Sequence, residues 1–175
     1  KAVYLLQATL DGVEPYLIKN NKGRPEMLFV GDDKSLLAIT KRGLINKQYP
    51  EIFRLTAVQN KNGKYDLVYQ AVSGSELLLI NTEQNIKFTH KKTLLTNLDE
   101  VNISYFGWKS LDQMAMQTPS DGPTWQSIYS GVDQQLTPQK IQVTLVKNQQ
   151  SLVFYSQLDG EPNRWFGNYI QTGDF

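Results

Sequence analysis

The side chains that most often perform catalysis or bind metals are sparse in this sequence. It contains one histidine, His90, and no cysteine. A zinc centre usually takes several His or Cys ligands, and a Ser-His-Asp site needs a histidine between its nucleophile and its acid. His90 is followed directly by Lys91 and Lys92, so we interpret it as part of a solvated basic strand end. We therefore expect no metal site and no catalytic histidine.

Two clusters of acidic residues are the other candidates for acid–base chemistry. The first is Asp32 with Asp33, and the second is Asp159 with Glu161. Both lie beside turn-forming residues, where carboxylates commonly accept hydrogen bonds from nearby backbone groups. A pair of carboxylates far apart in the sequence, as in glycosidases, stays open as a minor alternative. The motifs GxGxxG, GxxxxGK, GxSxG and HExxH are absent, so we expect neither an enzyme nor a cofactor.

Aromatic residues are concentrated in the second half of the chain. Buried aromatic rings contribute a large area to a core, and we favour that interpretation. Tryptophan and tyrosine also dominate contact surfaces, so a carbohydrate-binding or adhesin-type module with Trp108, Trp125 and Trp165 as stacking platforms is an alternative. The full set is Tyr105, Phe106, Trp108, Trp125, Tyr129, Trp165, Phe166 and Tyr169.

The composition predicts one ordinary globular domain. A chain of 175 residues fits a single core, so we expect one domain over residues 1–175. The 18 Lys and Arg residues balance 17 Asp and Glu residues, which leaves no net field to attract nucleic acid or anionic lipid. No run of apolar residues is long enough to span a bilayer. Because the chain begins with Lys1 instead of Met, we expect a preceding segment to be missing.

The opening residues have the periodicity of an amphipathic helix. Apolar side chains recur at spacings of three and four, which places them on one helical stripe. Gly12 and Pro15 weaken a helix, so we expect it to end or kink between residues 11 and 14. Tyr4 and Ala8 are apolar but lie off the stripe. The stripe consists of Val3, Leu6, Leu10, Val13 and Leu17.

After residue 20 the sequence changes to short apolar and β-branched runs separated by turn residues, which is typical of a sheet. Residues 60–63 and 147–150 have the composition of hairpin turns, residues 93–99 predict a short helical turn, and residues 114–122 predict a long loop. One helix followed by many strands predicts an α+β fold, with an N-terminal helix packed on antiparallel β-sheets and covering one face. We predict strands at residues 27–30, 35–40, 52–59, 65–71, 77–80, 86–90, 101–106, 141–147 and 152–156.

Several short stretches follow one another in the order found in one known family. They are a phenylalanine–glycine turn at residues 28–31, an arginine–asparagine stretch at 42–46, a strand pair at 53–58 and 65–69, a leucine-rich approach at 94–101 leading to Tyr105, then Trp125, and a leucine–proline strand entry at 136–141. In these stretches the chain resembles the J-class minor pseudopilins of type II secretion systems, which belong to the type IV pilin-like superfamily. Taken together, the stretches that follow this order extend over most of the chain.

This resemblance implies a pilin-like head domain and a non-catalytic role at the tip of a periplasmic pseudopilus. It implies anchoring in the bacterial inner membrane by an apolar helix that precedes Lys1, and assembly with minor pseudopilins of the I, K and H classes. Secreted cargo and the outer-membrane secretin are further candidate partners. A minor type IV pilin and a competence pseudopilin stay open as alternatives.

The residues of the helix that are not needed for its own sheet are the candidate partner contacts. Tyr4 and Ala8 are the signal for a second contact, because both are apolar and lie away from the buried stripe. The equal alternative is that a loop of the same chain covers them. The candidate partner-binding residues are Lys1, Tyr4, Gln7, Ala8 and Asp11.

Overall fold

The structure is a computed structural model that describes residues 1–116 and 120–158. The helices in this part of the chain are α1 (Ala2–Asp11), α2 (Leu111–Met116) and α3 (Gly131–Gln134). The strands are β1 (Leu17–Lys19), β2 (Pro25–Met27), β3 (Val30–Gly31), β4 (Ser35–Thr40), β5 (Glu51–Gln59), β6 (Tyr65–Ser73), β7 (His90–Leu98), β8 (Glu100–Gly107), β9 (Thr124–Gln126), β10 (Tyr129–Ser130), β11 (Lys140–Lys147) and β12 (Gln150–Gln157).

The strands form three antiparallel sheets. A six-stranded sheet has the order β10-β3-β4-β5-β6-β7, a four-stranded sheet has the order β12-β11-β8-β9, and β1 pairs with β2. Of the described residues, 46% lie in strands and only 13% in helices. The prediction of an α+β, pilin-like head is therefore wrong, since the protein is sheet-rich. The physical reason is that α1 is short and contacts the edge strands β7 and β12, so the sheets largely cover one another.

The main core lies between the two larger sheets and α1. Phe53 and Leu55 of β5 belong to the same buried cluster as Ile103 of β8 and Val143 of β11. Ile103 and Val143 are also register partners, so they point to the same face of the four-stranded sheet. Each such fully buried side chain contributes roughly 1.5–3 kcal/mol relative to an exposed one. Burial between sheets therefore dominates the stability of the fold.

The other face of the six-stranded sheet is covered by irregular chain. A second cluster contains Ile39, Ile52 and Val72, with Leu77 and Phe88 packed against it. The predicted strands at 77–80 and 86–90 are wrong, because these residues lie outside the strands of the described chain apart from His90, where β7 begins. Their apolar side chains pack on the sheet as a cover, and their backbones join no ladder.

The leucine-rich approach to β8 is a strand. We predicted a helical turn over residues 93–99, but β7 (His90–Leu98) pairs along β6. Leu95 lies opposite Leu67, where the register shifts. The helical spacing of the three leucines is a preference of the local sequence. The hydrogen bonds to the backbone of β6, which is distant in sequence, outweigh that preference.

Other predictions are confirmed or modified locally. Residues 35–40 coincide with β4, and both predicted hairpin turns connect antiparallel partners. Of the predicted strand at residues 27–30, only Met27 at the end of β2 and Val30 at the start of β3 lie in strands, and residues 28 and 29 connect the small sheet to the large one. Helix α2 occupies the start of the predicted loop at 114–122, whereas residues 117–119 lie outside the described chain.

The end of α1 is fixed by close packing at Gly12. The helix ends at Asp11, as predicted. A Cβ atom on Gly12 would lie 2.6 Å from both Thr40 Oγ1 and Arg42 Cβ, so only glycine fits between α1 and the end of β4. The Gly12 carbonyl also accepts a hydrogen bond from Lys41 N at 2.9 Å. Across the described residues, no helix combines the length and apolar character needed to cross a bilayer.

Candidate docking surface on the N-terminal helix

Helix α1 is held firmly on one side. Leu6, Thr9 and Leu10 are fully buried, and the two leucines belong to the main core. Thr40 Oγ1 donates a hydrogen bond of 2.7 Å to the Thr9 carbonyl. The helix is thus fixed both by apolar burial and by a hydrogen bond to β4, which gives it a defined outer side.

The outer side of α1 carries four of the five candidate partner-binding residues. Lys1, Tyr4, Ala8 and Asp11 recur at spacings of three and four, so they form one line along the helix; we call this line the α1 outer stripe. The side chain of Tyr4 is 76% exposed, Lys1 is exposed, and Ala8 and Asp11 are half-buried. The small Ala8 lies one turn after Tyr4, which leaves room for a partner to approach the helix closely.

The fifth candidate, Gln7, is used within the protein. Its Nε2 atom lies 2.9 Å from each of three acceptors, namely Asp11 Oδ1, the Tyr155 carbonyl and Ser156 Oγ. An amide nitrogen carries two hydrogens, so the three acceptors share them. Gln7 therefore fastens α1 to β12 and orients Asp11, and its donors are already occupied.

An apolar groove lies beside the first turn of α1 and was not identified from the sequence. It has a volume of about 420 Å³. Val3 lines it on the helix side, next in sequence to Tyr4, and Leu152 of β12, 43% exposed, lines it on the sheet side. The other lining residues are Leu95, Leu98, Leu145, Lys147, Asn148, Gln150 and Ser151. The sequence predicted the strands at residues 141–147 and 152–156, but it did not predict that they would lie beside β7.

The candidate acid–base residues have local structural roles in the described chain. Asp32 Oδ1 accepts a hydrogen bond from Lys34 N at 2.8 Å, and Asp33 Oδ2 lies 3.4 Å from Lys34 Nζ. His90 is exposed, and its Nδ1 atom lies 3.0 Å from Thr89 Oγ1. Asp159 and Glu161 lie outside the described residues. The described acids thus stabilise a tight turn, as expected from their sequence context.

The buried carboxylate of Glu51 is a further feature that the sequence did not identify. Glu51 is fully buried. It accepts hydrogen bonds from Leu44 N at 3.0 Å, from Ile45 N and Asn46 N at 2.6 Å each, and from the Tyr69 hydroxyl at 2.7 Å. Burial and the neighbouring Glu51 charge raise the pKa of Tyr69 far above its ordinary value, so Tyr69 remains a donor. This arrangement holds the 43–46 loop and leaves no open space for a substrate, since a Cβ on Gly43 would meet the carboxylate.

Part of the aromatic set forms a ring cluster on the outer face of the four-stranded sheet. The centroid of Trp125 lies 5.3 Å from that of Phe106 and 6.1 Å from that of Tyr155, and Lys140 Nζ lies 5.4 Å from the Phe106 centroid. Trp108 is half-buried, and its carbonyl accepts a hydrogen bond from Gln134 Nε2. Two aromatics of this set, Tyr105 and Tyr129, are instead fully buried in the core. The predicted contributors Trp165, Phe166 and Tyr169 lie outside the described residues.

Within residues 1–116 and 120–158, no three His, Cys, Asp or Glu side chains are grouped closely enough to hold a metal ion. The arrangement that stands out is instead a fixed helix with an exposed tyrosine beside an apolar groove. Comparison of the sequence with protein-family models and with curated proteins finds no match.

Proposed function

We propose that this protein is a non-catalytic assembly subunit that binds a partner subunit through the α1 outer stripe. In this proposal it acts as a minor pseudopilin at the tip of a type II secretion pseudopilus, in the bacterial periplasm, with a membrane anchor that precedes Lys1. Its partners are other minor pseudopilins of the I, K and H classes. A minor type IV pilin or competence pseudopilin would use the same surface.

The observation that carries this proposal is the exposure of Tyr4 on a helix whose opposite side is buried. Tyrosine is enriched among the residues that dominate binding energy at protein interfaces, and 76% of Tyr4 is available to a partner. The groove of about 420 Å³ beside it is lined by Val3 and offers a place for a partner's apolar side chain. The choice of minor pseudopilins as partners comes from the sequence stretches that resemble the J-class family in the same order.

We expect Tyr4→Asp to weaken binding to a purified I-class or K-class pseudopilin head by about 30-fold or more, because loss of an interface hot spot costs about 2 kcal/mol. Ala8→Asp should act in the same direction, since it places a charge in the closest part of the contact. Binding is measured by isothermal titration calorimetry, with folding checked by circular dichroism.

The matched control is Ile128→Asp, which places the same charge on an exposed apolar residue, 70% exposed, outside α1. It should bind the partner head as the wild-type protein does. If Tyr4→Asp and Ala8→Asp also bind with unchanged affinity, α1 is not the contact surface and the proposal fails.

A carbohydrate-binding role is the second candidate, and the exposed ring cluster favours it. Trp125 and Tyr155 are 45% and 56% exposed, and the polar Gln142 lies in register with Tyr155. Stacked rings beside hydrogen-bonding side chains suit the apolar and polar parts of a sugar. On a glycan array, Trp125→Ala should abolish any wild-type signal, whereas Tyr4→Asp should preserve it. An array without wild-type signal rules against this candidate.

A further inference from the structure

Leu77 to Ile80 form a short apolar run whose burial alternates along the chain. Leu77 and Leu79 pack against the second buried cluster, whereas Leu78 and Ile80 are 79% and 68% exposed. Alternation with a period of two is the pattern of extended backbone, in which neighbouring side chains point to opposite faces. The segment therefore has the side-chain pattern of a strand, with one apolar face in the protein and the other in solvent.

The backbone of this segment is bonded as though it lay beside another strand. Gln84 Oε1 accepts a hydrogen bond from Ile80 N at 2.7 Å, and Gln84 Nε2 donates one of 3.2 Å to the Leu78 carbonyl. One side-chain amide thus occupies the position that a peptide group of a neighbouring strand would take. Extended backbone directs the polar groups of Leu79 to the opposite edge, where its N–H and C=O have no hydrogen-bond partner among the described residues.

A small apolar pocket adjoins the exposed side chains. Its volume is about 170 Å³, which suits one large aliphatic or aromatic side chain. Tyr16, Tyr49 and Leu78 line its mouth, and Ile39 and Ile52 of the six-stranded sheet lie below them. The pocket and the unpaired backbone are thus side by side, as in sites that bind an extended peptide by adding it as a strand.

We propose that the segment from Leu77 to Ile80 binds an extended segment of another protein by strand addition, with an apolar side chain of that segment filling the pocket. The exposed area decides between this occupant and a second copy of the chain. Tyr16, Tyr49, Leu78 and Ile80 are 41%, 48%, 79% and 68% exposed, which amounts to about 470 Å² if each full side chain presents roughly 200 Å². A stable dimer buries about 800 Å² per partner, so this surface suits a peptide strand, whose main-chain hydrogen bonds add to the apolar contact.

This site is independent of the α1 outer stripe. Helix α1 packs into the main core, whereas Leu77 and Leu79 cover the opposite face of the six-stranded sheet. A variant that disables one surface therefore leaves the other intact.

The test uses phage-displayed random dodecapeptides, selected on the wild-type protein and counter-selected on the double variant Leu78→Ser with Ile80→Ser. We expect the enriched peptides to carry aliphatic or aromatic residues at alternate positions. A synthetic copy of one of them should bind the double variant at least 10-fold more weakly than the wild-type protein. The matched control, Ile128→Ser with Val153→Ser, removes exposed apolar residues elsewhere, 70% and 42% exposed, and should bind the peptide normally.

A second peptide, N-methylated at alternate backbone amides, keeps the side chains but loses main-chain donors. Strand addition predicts at least a 10-fold loss of affinity for it, together with slower hydrogen exchange at Leu79 N–H when the unmodified peptide binds. Equal binding of both peptides, or enrichment without an alternating pattern, overturns the proposal. A wild-type dimer in analytical ultracentrifugation that the double variant converts to monomer would also overturn it, because the occupant would then be a second copy.

Discussion

Replacing Glu51 by alanine is expected to lower the free energy of unfolding by about 3–4 kcal/mol, because several buried hydrogen-bond donors lose their acceptor. Four donors, three backbone N–H groups and the Tyr69 hydroxyl, converge on this carboxylate. Each buried donor left without an acceptor costs about 1–3 kcal/mol, and water recovers part of that where the loop is half-exposed. Equilibrium unfolding in urea, with an unchanged m-value, measures the loss.

The variant Glu51→Gln keeps the side-chain size but removes the negative charge and one oxygen acceptor, so it separates these two contributions to stability from the effect of size. It retains one oxygen acceptor, but its amide NH₂ group faces backbone donors, so we expect roughly half of the alanine effect. The same variants should make the chain after Lys47, which is exposed, more sensitive to trypsin, because Glu51 holds the preceding loop. A loss below about 1 kcal/mol for Glu51→Ala would mean that the loop is held by other contacts.

Replacing Tyr105 by alanine is expected to cost about 3–5 kcal/mol, because a large buried ring leaves a cavity. Tyr105 is fully buried, and its ring meets that of Phe29 edge-on at a centroid distance of 5.7 Å. Its hydroxyl donates to the Asp32 carbonyl at 2.8 Å and to the Ser35 carbonyl at 3.1 Å, so one shared proton joins the two large sheets. Thermal unfolding followed by circular dichroism provides the measurement.

The variant Tyr105→Phe keeps the ring and removes only the hydroxyl, so we expect it to cost about 1–2 kcal/mol. Burial raises the pKa of Tyr105 well above its ordinary value, and the nearby Asp32 and Asp33 charges act in the same direction. The hydroxyl therefore keeps its proton over the range in which the protein is handled, and the difference between Tyr105 and Phe should not change between pH 6 and 9. A pH-dependent difference over this range would contradict the assignment of the hydroxyl as donor.

Tyr105 and Glu51 also explain why two positions on other segments of the chain are glycine. A Cβ on Gly31 would lie 2.2 Å from the Tyr105 hydroxyl oxygen, and one on Gly43 would lie 2.0 Å from Glu51 Cδ. Neither glycine is explained by its immediate sequence. Each is required because a large side chain from another strand occupies the space where its own would be.

The sequence by itself determined the elements whose causes are local. The 3.6-residue periodicity located α1 and its buried leucines, short apolar and β-branched runs located strands such as β11 (Lys140–Lys147), and turn residues located both hairpins. It also marked Tyr4 and Ala8 as apolar residues off the buried stripe, since that follows from helical geometry alone.

Which segments pair as β-strands is determined only by the tertiary structure. Residues 93–98 lie in a strand because β6 provides backbone partners for them, whereas Leu77 to Ile80, with an equally good strand pattern, pair with no strand in the described chain. The fold class, the groove beside Tyr4 and the burial of Glu51 likewise depend on contacts between residues far apart in the sequence. Two strands can pair in many registers, and the contacts that favour one register join side chains far apart in the sequence. A local periodicity in the sequence does not reveal these contacts.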